Sequence, residues 1–129
     1  MVLVDSSIWI DFLQHPRSAN ADRLAGLIRD NNQAVLCGVV IQEVLQGIRD
    51  SGSHAATRAM LVKFPYLDMD KAVYLEAASL YRDFRAKGIT IPSIDAAIAA
   101  LALYHRIPLF TRDNHFSVIA SHGKLELYT

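Results

Sequence analysis

The chain opens on a short, unbroken apolar run, Val2 to Val4, that stops at Asp5. A run without polar alternation suits a strand covered on both faces, as in a parallel sheet. Ser6 or Ser7 is placed to cap a short helix through Phe12. From about Ala21 to Asp30, Leu24, Leu27 and Ile28 form a helical stripe, which Asn31 and Asn32 end before a second apolar run, Ala34 to Val40. Ile41, Val44, Leu45 and Ile48 then recur at helical spacing, with Glu43 off that stripe. Ser53 and Thr57 open a further helix toward Lys63, ended by Pro65. The next runs from about Asp70 to Lys87, with Val73, Ala77, Leu80, Tyr81 and Phe84 on one face and Gly88 as terminator. Pro92 and Ser93 set up an alanine-rich helix from Ile94 to about His105, with Asp95 in its first turn. Ile107 to Thr111 is expected as a strand ending at Arg112 and Asp113, with Pro108 near its start. A short helix from Phe116 to Ser121, then Gly123 and an alternating edge strand from Leu125 to Tyr128, finish the chain.

Strands alternating with helices predict an α/β fold, a parallel β-sheet flanked by α-helices, over one domain spanning residues 1–129. The 52% hydrophobic and 20% charged content is that of a chain that buries a core rather than staying disordered. Thirteen basic and thirteen acidic side chains cancel, so any polyanion would have to be attracted by local patches. The lone cysteine, Cys37, excludes a disulfide framework and reads as buried filler in a reducing compartment. No segment has the ~18 to 20 apolar residues of a membrane span, and Asp5 stands where a signal peptide would be basic, so a cytoplasmic protein without membrane contact is expected.

Open parallel sheets bind ligands beyond the carboxyl ends of their strands. Asp5 and Asp113 occupy such ends, while Glu43 and Asp95 lie near the starts of helices that point toward the same rim. Two readings fit. Each acid could be an ordinary helix cap or dipole partner. Alternatively, the four converge, and a cluster of like charges then requires a cation or protons, with hard carboxylate oxygens favouring Mg²⁺ or Mn²⁺.

The segments Val4-Asp5-Ser6-Ser7, Gln42-Glu43-Val44-Leu45-Gln46-Gly47, Ser93-Ile94-Asp95-Ala96-Ala97-Ile98-Ala99 and Leu109-Phe110-Thr111-Arg112-Asp113 with Phe116 resemble, in order, those of PIN-domain ribonucleases. The VapC toxin branch of type II (VapBC) toxin–antitoxin systems is the most similar. The resemblance implies a PIN fold and an endoribonuclease that cuts structured RNA such as tRNA or rRNA. It also implies a Mg²⁺ or Mn²⁺ site at Asp5, Glu43, Asp95 and Asp113. Asp5 and Asp95 are assigned as direct ligands; Glu43 and Asp113 ligate through water or orient the attacking water. Two partners are further implied, a VapB-type antitoxin that inserts an Arg or Lys into the acidic cavity and a second copy forming a homodimer. His115 departs from the pattern, standing where many relatives carry a further Asp.

Ser6 and Arg112 are candidate substrate contacts, against the plainer roles of helix cap and solvated loop arginine. The five histidines show no zinc spacing and read as surface or helix-end residues. Arg82, Arg85 and Lys87 suit the dipole at a helix end. Trp9 reads as core or interface; Trp9, Phe12 and the stretch from Met60 to Tyr66 hold candidate apolar anchors for the antitoxin. Two rival functions remain in view. An aspartyl-phosphate phosphatase would also place an Asp after its first strand, but usually carries a second Asp where Ser7 stands. A degenerate PIN-like module would bind RNA or a partner without cutting.

Overall fold

The computed structural model describes all 129 residues. In chain order the elements are β1 (Val2–Val4), α1 (Ser6–Gln14), α2 (Ala19–Arg29), β2 (Ala34–Cys37), α3 (Gly38–Gln46) and α4 (Ser51–Leu61). There follow β3 (Tyr66–Leu67), α5 (Lys71–Ala86), α6 (Ser93–His105), β4 (Leu109–Phe110) and α7 (Asn114–Ser121). All strand pairs are parallel, in the order β3-β2-β1-β4. The α/β architecture expected from the alternating pattern is therefore present. β1 lies in the interior of the sheet, with Leu3 opposite Val35 on one side and Leu109 on the other. Both β1 and β2 are wholly buried, which is why neither shows polar alternation.

A cluster of 29 buried side chains fills the interior. α6 supplies an unbroken buried stretch from Ala96 to Ala102 and packs against α5, its alanines allowing close approach. Trp9 is fully buried, edge-on to Phe64 at 5.0 Å and Phe12 at 6.2 Å, and its indole N–H finds no partner. Burial removes Trp9 as an anchor for a partner chain. Cys37 is the buried filler expected; desolvation pushes its thiol up to about 11, with the nearby Asp5 and Glu43 charges adding to the effect.

Several boundaries differ from the sequence reading. The second strand stops at Cys37, and Val39 to Ile41 already belong to α3, because a short apolar run does not distinguish strand from buried helix. Gly38 sits at that junction, where a Cβ would come within 3.1 Å of Tyr66 Oη; glycine there lets β3 approach. β3 itself had no signal, being only two residues long. Neither Ser6 nor Ser7 caps α1: both lie inside the helix and Asp5 takes the N-cap position. Ser18 caps α2, and Asp50, not Ser53, caps α4. The expected strand at Leu125 to Tyr128 shrinks to one parallel bridge, Leu109 to Leu127, since β4 offers only two residues to pair with. Arg23 holds this tail down, its guanidinium 4.7 Å from the Phe110 ring and 5.1 Å from the Tyr128 ring. No helix is long and apolar enough to cross a membrane.

Candidate metal centre

Asp5 leaves the end of β1 and stands at the N-cap of α1, yet its carboxylate makes no capping bond. Instead Oδ2 accepts from Ser7 Oγ at 2.8 Å and from Thr111 Oγ1 at 2.9 Å, in a site that leaves the residue 5% exposed. A buried carboxylate satisfied by two hydroxyls and no cation is held in one direction without being neutralised. Asp113, after β4, does act as a cap: its Oδ1 accepts from the backbone N–H of His115 at 2.9 Å. Asp95 lies in the first turn of α6, whose N-cap is Pro92. Glu43, midway along α3, accepts from Ser6 Oγ through Oε1 at 3.2 Å.

These placements bring three groups into one tight set. Ligand atoms of Asp95, Asp113 and His115 all lie within 4.8 Å of one another. His115 Nδ1 is 3.1 Å from Asp95 Oδ2 and 3.2 Å from Asp113 Oδ1, so one ring nitrogen serves two carboxylates. Asp5 and Glu43 stand outside this set but inside its electric field. Burial, followed by the charges of Asp113 and Asp5, pushes Asp95 up from 3.8 to about 6, against the opposing effect of His115. Burial also raises Glu43, with Asp5 and Asp113 adding to the shift and the Ser6 hydroxyl opposing it. Asp95 and Glu43 thus hold protons more tightly because they are partly desolvated and, beyond that, sit among other acids, and a hard divalent cation would relieve this second part.

Of the two candidate substrate contacts, Ser6 faces Glu43, while Arg112 is half-exposed and donates from Nη1 to Asp11 Oδ1 at 2.9 Å. His115 was read as a surface histidine and belongs to the cluster; the signal was its place before Phe116, where the family pattern carries an acid. Ser7, a helix-cap candidate in the sequence, instead bonds the Asp5 carboxylate, while Thr111 and Asp11 carry no motif that marks them. For Asp11 the available clue was an acid set among apolar neighbours on α1, Ile10 and Phe12. A cavity of about 470 Å³ opens between α5 and α6, with Tyr74, Tyr81, Arg82 and Arg85 on one wall and, on the other, Ser93 and Ile94, which precede Asp95 in the chain. Arg82 and Arg85 are exposed and make no ion pair.

Residues 2–121 match the PIN domain family. The VapC ribonuclease Mb1587 of Mycobacterium bovis is 32% identical over 123 residues, covering 93% of this chain and 92% of that protein. Among solved structures, VapBC2 from Rickettsia felis bound to a DNA fragment from their promoter is similar with a TM-score of 0.81 at 17% identity, over 99% of this chain and 98% of that one. A toxin–antitoxin complex from Klebsiella pneumoniae gives 0.71 at 23% identity, over 88% of each chain. The family match takes in every strand, and with them the segments that carry all four acids, so the acidic rim and the sheet beneath it lead to one assignment: the chain belongs to the PIN domain family.

Proposed function

We propose that this protein is a divalent-metal-dependent endoribonuclease, acting through one domain over residues 1–129 as the toxin of a toxin–antitoxin pair. Asp5, Glu43, Asp95 and Asp113 form its acidic centre. The observation that carries the reading is the shared surroundings of these acids at the carboxyl edge of the sheet, where burial first and neighbouring charges second hold Asp95 and Glu43 above their ordinary range. The 32% identity to a VapC ribonuclease supports RNA as substrate, and the likeness to VapBC and other toxin–antitoxin structures supports a VapB-type partner.

Asp5 and Asp95 would hold Mg²⁺ or Mn²⁺, with Asp113 and His115 close enough to Asp95 to complete or support the ligand set. When bound, such an ion lowers the pKa of a coordinated water and screens charge developing on phosphate. The chain's own contribution is orientation and proton handling. Ser7 and Thr111 aim the Asp5 carboxylate. Ser6 occupies Glu43 Oε1, leaving Oε2 to orient water, and burial raises the proton affinity of Glu43 in the direction that favours a general base. Arg82 and Arg85, free of acid partners in the cavity between α5 and α6, supply the local positive charge that the neutral chain as a whole lacks.

The test is cleavage of purified tRNA and rRNA with Mg²⁺ or Mn²⁺, with chelator, and with Asp5→Asn or Asp95→Asn. Metal-dependent cuts lost in either folded variant are expected. Full activity in a folded variant would refute the acidic centre, and RNA binding without cutting would favour the degenerate binding module. For the partner, co-expression of the neighbouring gene's short product should give a tight, inactive complex, and substituting its inserted Arg or Lys should restore cleavage. The homodimer is read from sedimentation of the toxin alone.

A further inference from the structure

The loop that carries Asp113 is held by two residues of α1. Ser7 and Asp11 are one turn apart on the same face of α1, and both hold the segment from Thr111 to Asp113. Ser7 Oγ accepts from the backbone N–H of Arg112 at 3.1 Å while donating to Asp5. Thr111 Oγ1 donates to Asp5 and accepts from the backbone N–H of Asp113 at 3.0 Å. Asp11, only 5% exposed, accepts from Arg112 Nη1 at 2.9 Å and from Ser18 Oγ at 2.6 Å. Ser18 in turn caps α2.

A buried carboxylate with a single cation partner is costly to desolvate, and removing that partner leaves an uncompensated charge. Arg112 is therefore bound where it stands, and its backbone is fixed between two acids that the ribonuclease reading places in the centre, Asp5 and Asp113. We propose that Asp11 is a positioning residue that works through Arg112. The pair sets the 111–113 segment and with it the relative placement of Asp5 and Asp113; Arg112 serves this clamp and not an RNA phosphate. The inference rests on the ribonuclease reading of those acids, and it concerns geometry that exists without RNA.

Three single variants, Asp11→Asn, Arg112→Ala and Arg112→Lys, and the double variant Asp11→Asn/Arg112→Ala separate the possibilities. Free Mn²⁺ is followed by electron paramagnetic resonance to give its Kd, and kcat, KM and the salt dependence of KM are measured with RNA. The clamp predicts roughly ten- to a hundredfold losses in kcat for Asp11→Asn and Arg112→Ala, the scale of a misplaced catalytic geometry. Mn²⁺ binding should weaken, KM and its salt slope should stay unchanged, and the double variant should be no worse than the poorer single one. The conservative Arg112→Lys, which keeps a cation within reach of Asp11, should retain part of the activity that Arg112→Ala loses. A raised KM with a shallower salt slope and unchanged kcat would make Arg112 a phosphate contact and overturn the clamp. Additive losses, or wild-type behaviour in Arg112→Ala, would also overturn it. If the wild type cuts no RNA, the ribonuclease reading fails separately, and Mn²⁺ affinity with amide exchange at residues 111–115 still decides the clamp. If Asp11→Asn does not fold, the two Arg112 variants carry the same test.

Discussion

Burial, and after it the charges of Asp113 and Asp5, makes Asp95 hold its proton more tightly folded than unfolded, raising it to about 6. Between about pH 4 and 6 the native chain keeps a proton that the unfolded chain has lost, so this contribution to stability falls as pH rises and stays lost above the folded pKa. In chelator, Asp95→Asn should therefore raise the melting temperature at neutral pH, with the gain closing below about pH 4. A gain independent of pH in a thermal melt would mean that the ionisation of Asp95 is not its cause. His115 bears on the same balance, since its Nδ1 lies against both Asp95 and Asp113. Replacing it with the acid common in the family, His115→Asp, should destabilise the metal-free protein and tighten Mn²⁺ binding, as calorimetry with and without metal would reveal. Unchanged affinity would separate His115 from the centre. Asp5 and Asp113 were legible in the sequence because each follows an apolar strand. The hydroxyl pair around Asp5 was not, because Ser7 and Thr111 lie 104 residues apart and only the pairing of β1 with β4 joins them.

At the scale of elements, α6 connects core packing to the site. Its first turn carries Asp95, and its next two turns are enclosed on all sides, with Ala99 fully buried. An added side chain there must move the helix or its neighbours. Ala99→Leu should cost about 1–3 kcal/mol of stability in denaturant unfolding and reduce cleavage beyond what the unfolded fraction explains. A stable variant with full activity would show that the seat of α6 tolerates more than its packing suggests. Helices α2, α3 and α5 were readable from apolar stripes at helical spacing, and α6 from its alanine-rich run after Pro92, signals that lie within the segment itself. The strands of two to four residues were not bounded well, because so short a run fits strand or buried helix alike and is settled by what lies beside it. Tyr66–Leu67 becomes a strand only because β2 presents its edge to it.

For the molecule as a whole, the proposed four-acid centre predicts that folding and cation binding form one equilibrium. Millimolar Mg²⁺ or Mn²⁺ should raise the melting temperature, the gain in unfolding free energy reaching about 2.7 kcal/mol at a hundredfold excess over Kd. The gain should shrink as pH falls and protons compete at the carboxylates, and should vanish when all four acids are replaced. Calorimetry that finds no shift in the wild type would mean that the acids do not act as one site.

The sheet order has a consequence for synthesis. β1 is made well before its partner β4, so Leu3 must wait for Leu109. A growing polypeptide can hold Asp5, Glu43 and Asp95 long before it holds Thr111 or Asp113, and without β4 nothing closes that side of the rim. Ribosome-tethered chains arrested before Leu109 should bind no Mn²⁺ tightly and cut no RNA, while chains released in full should do both. Cleavage would thus begin only once β4 has been made and has paired with β1.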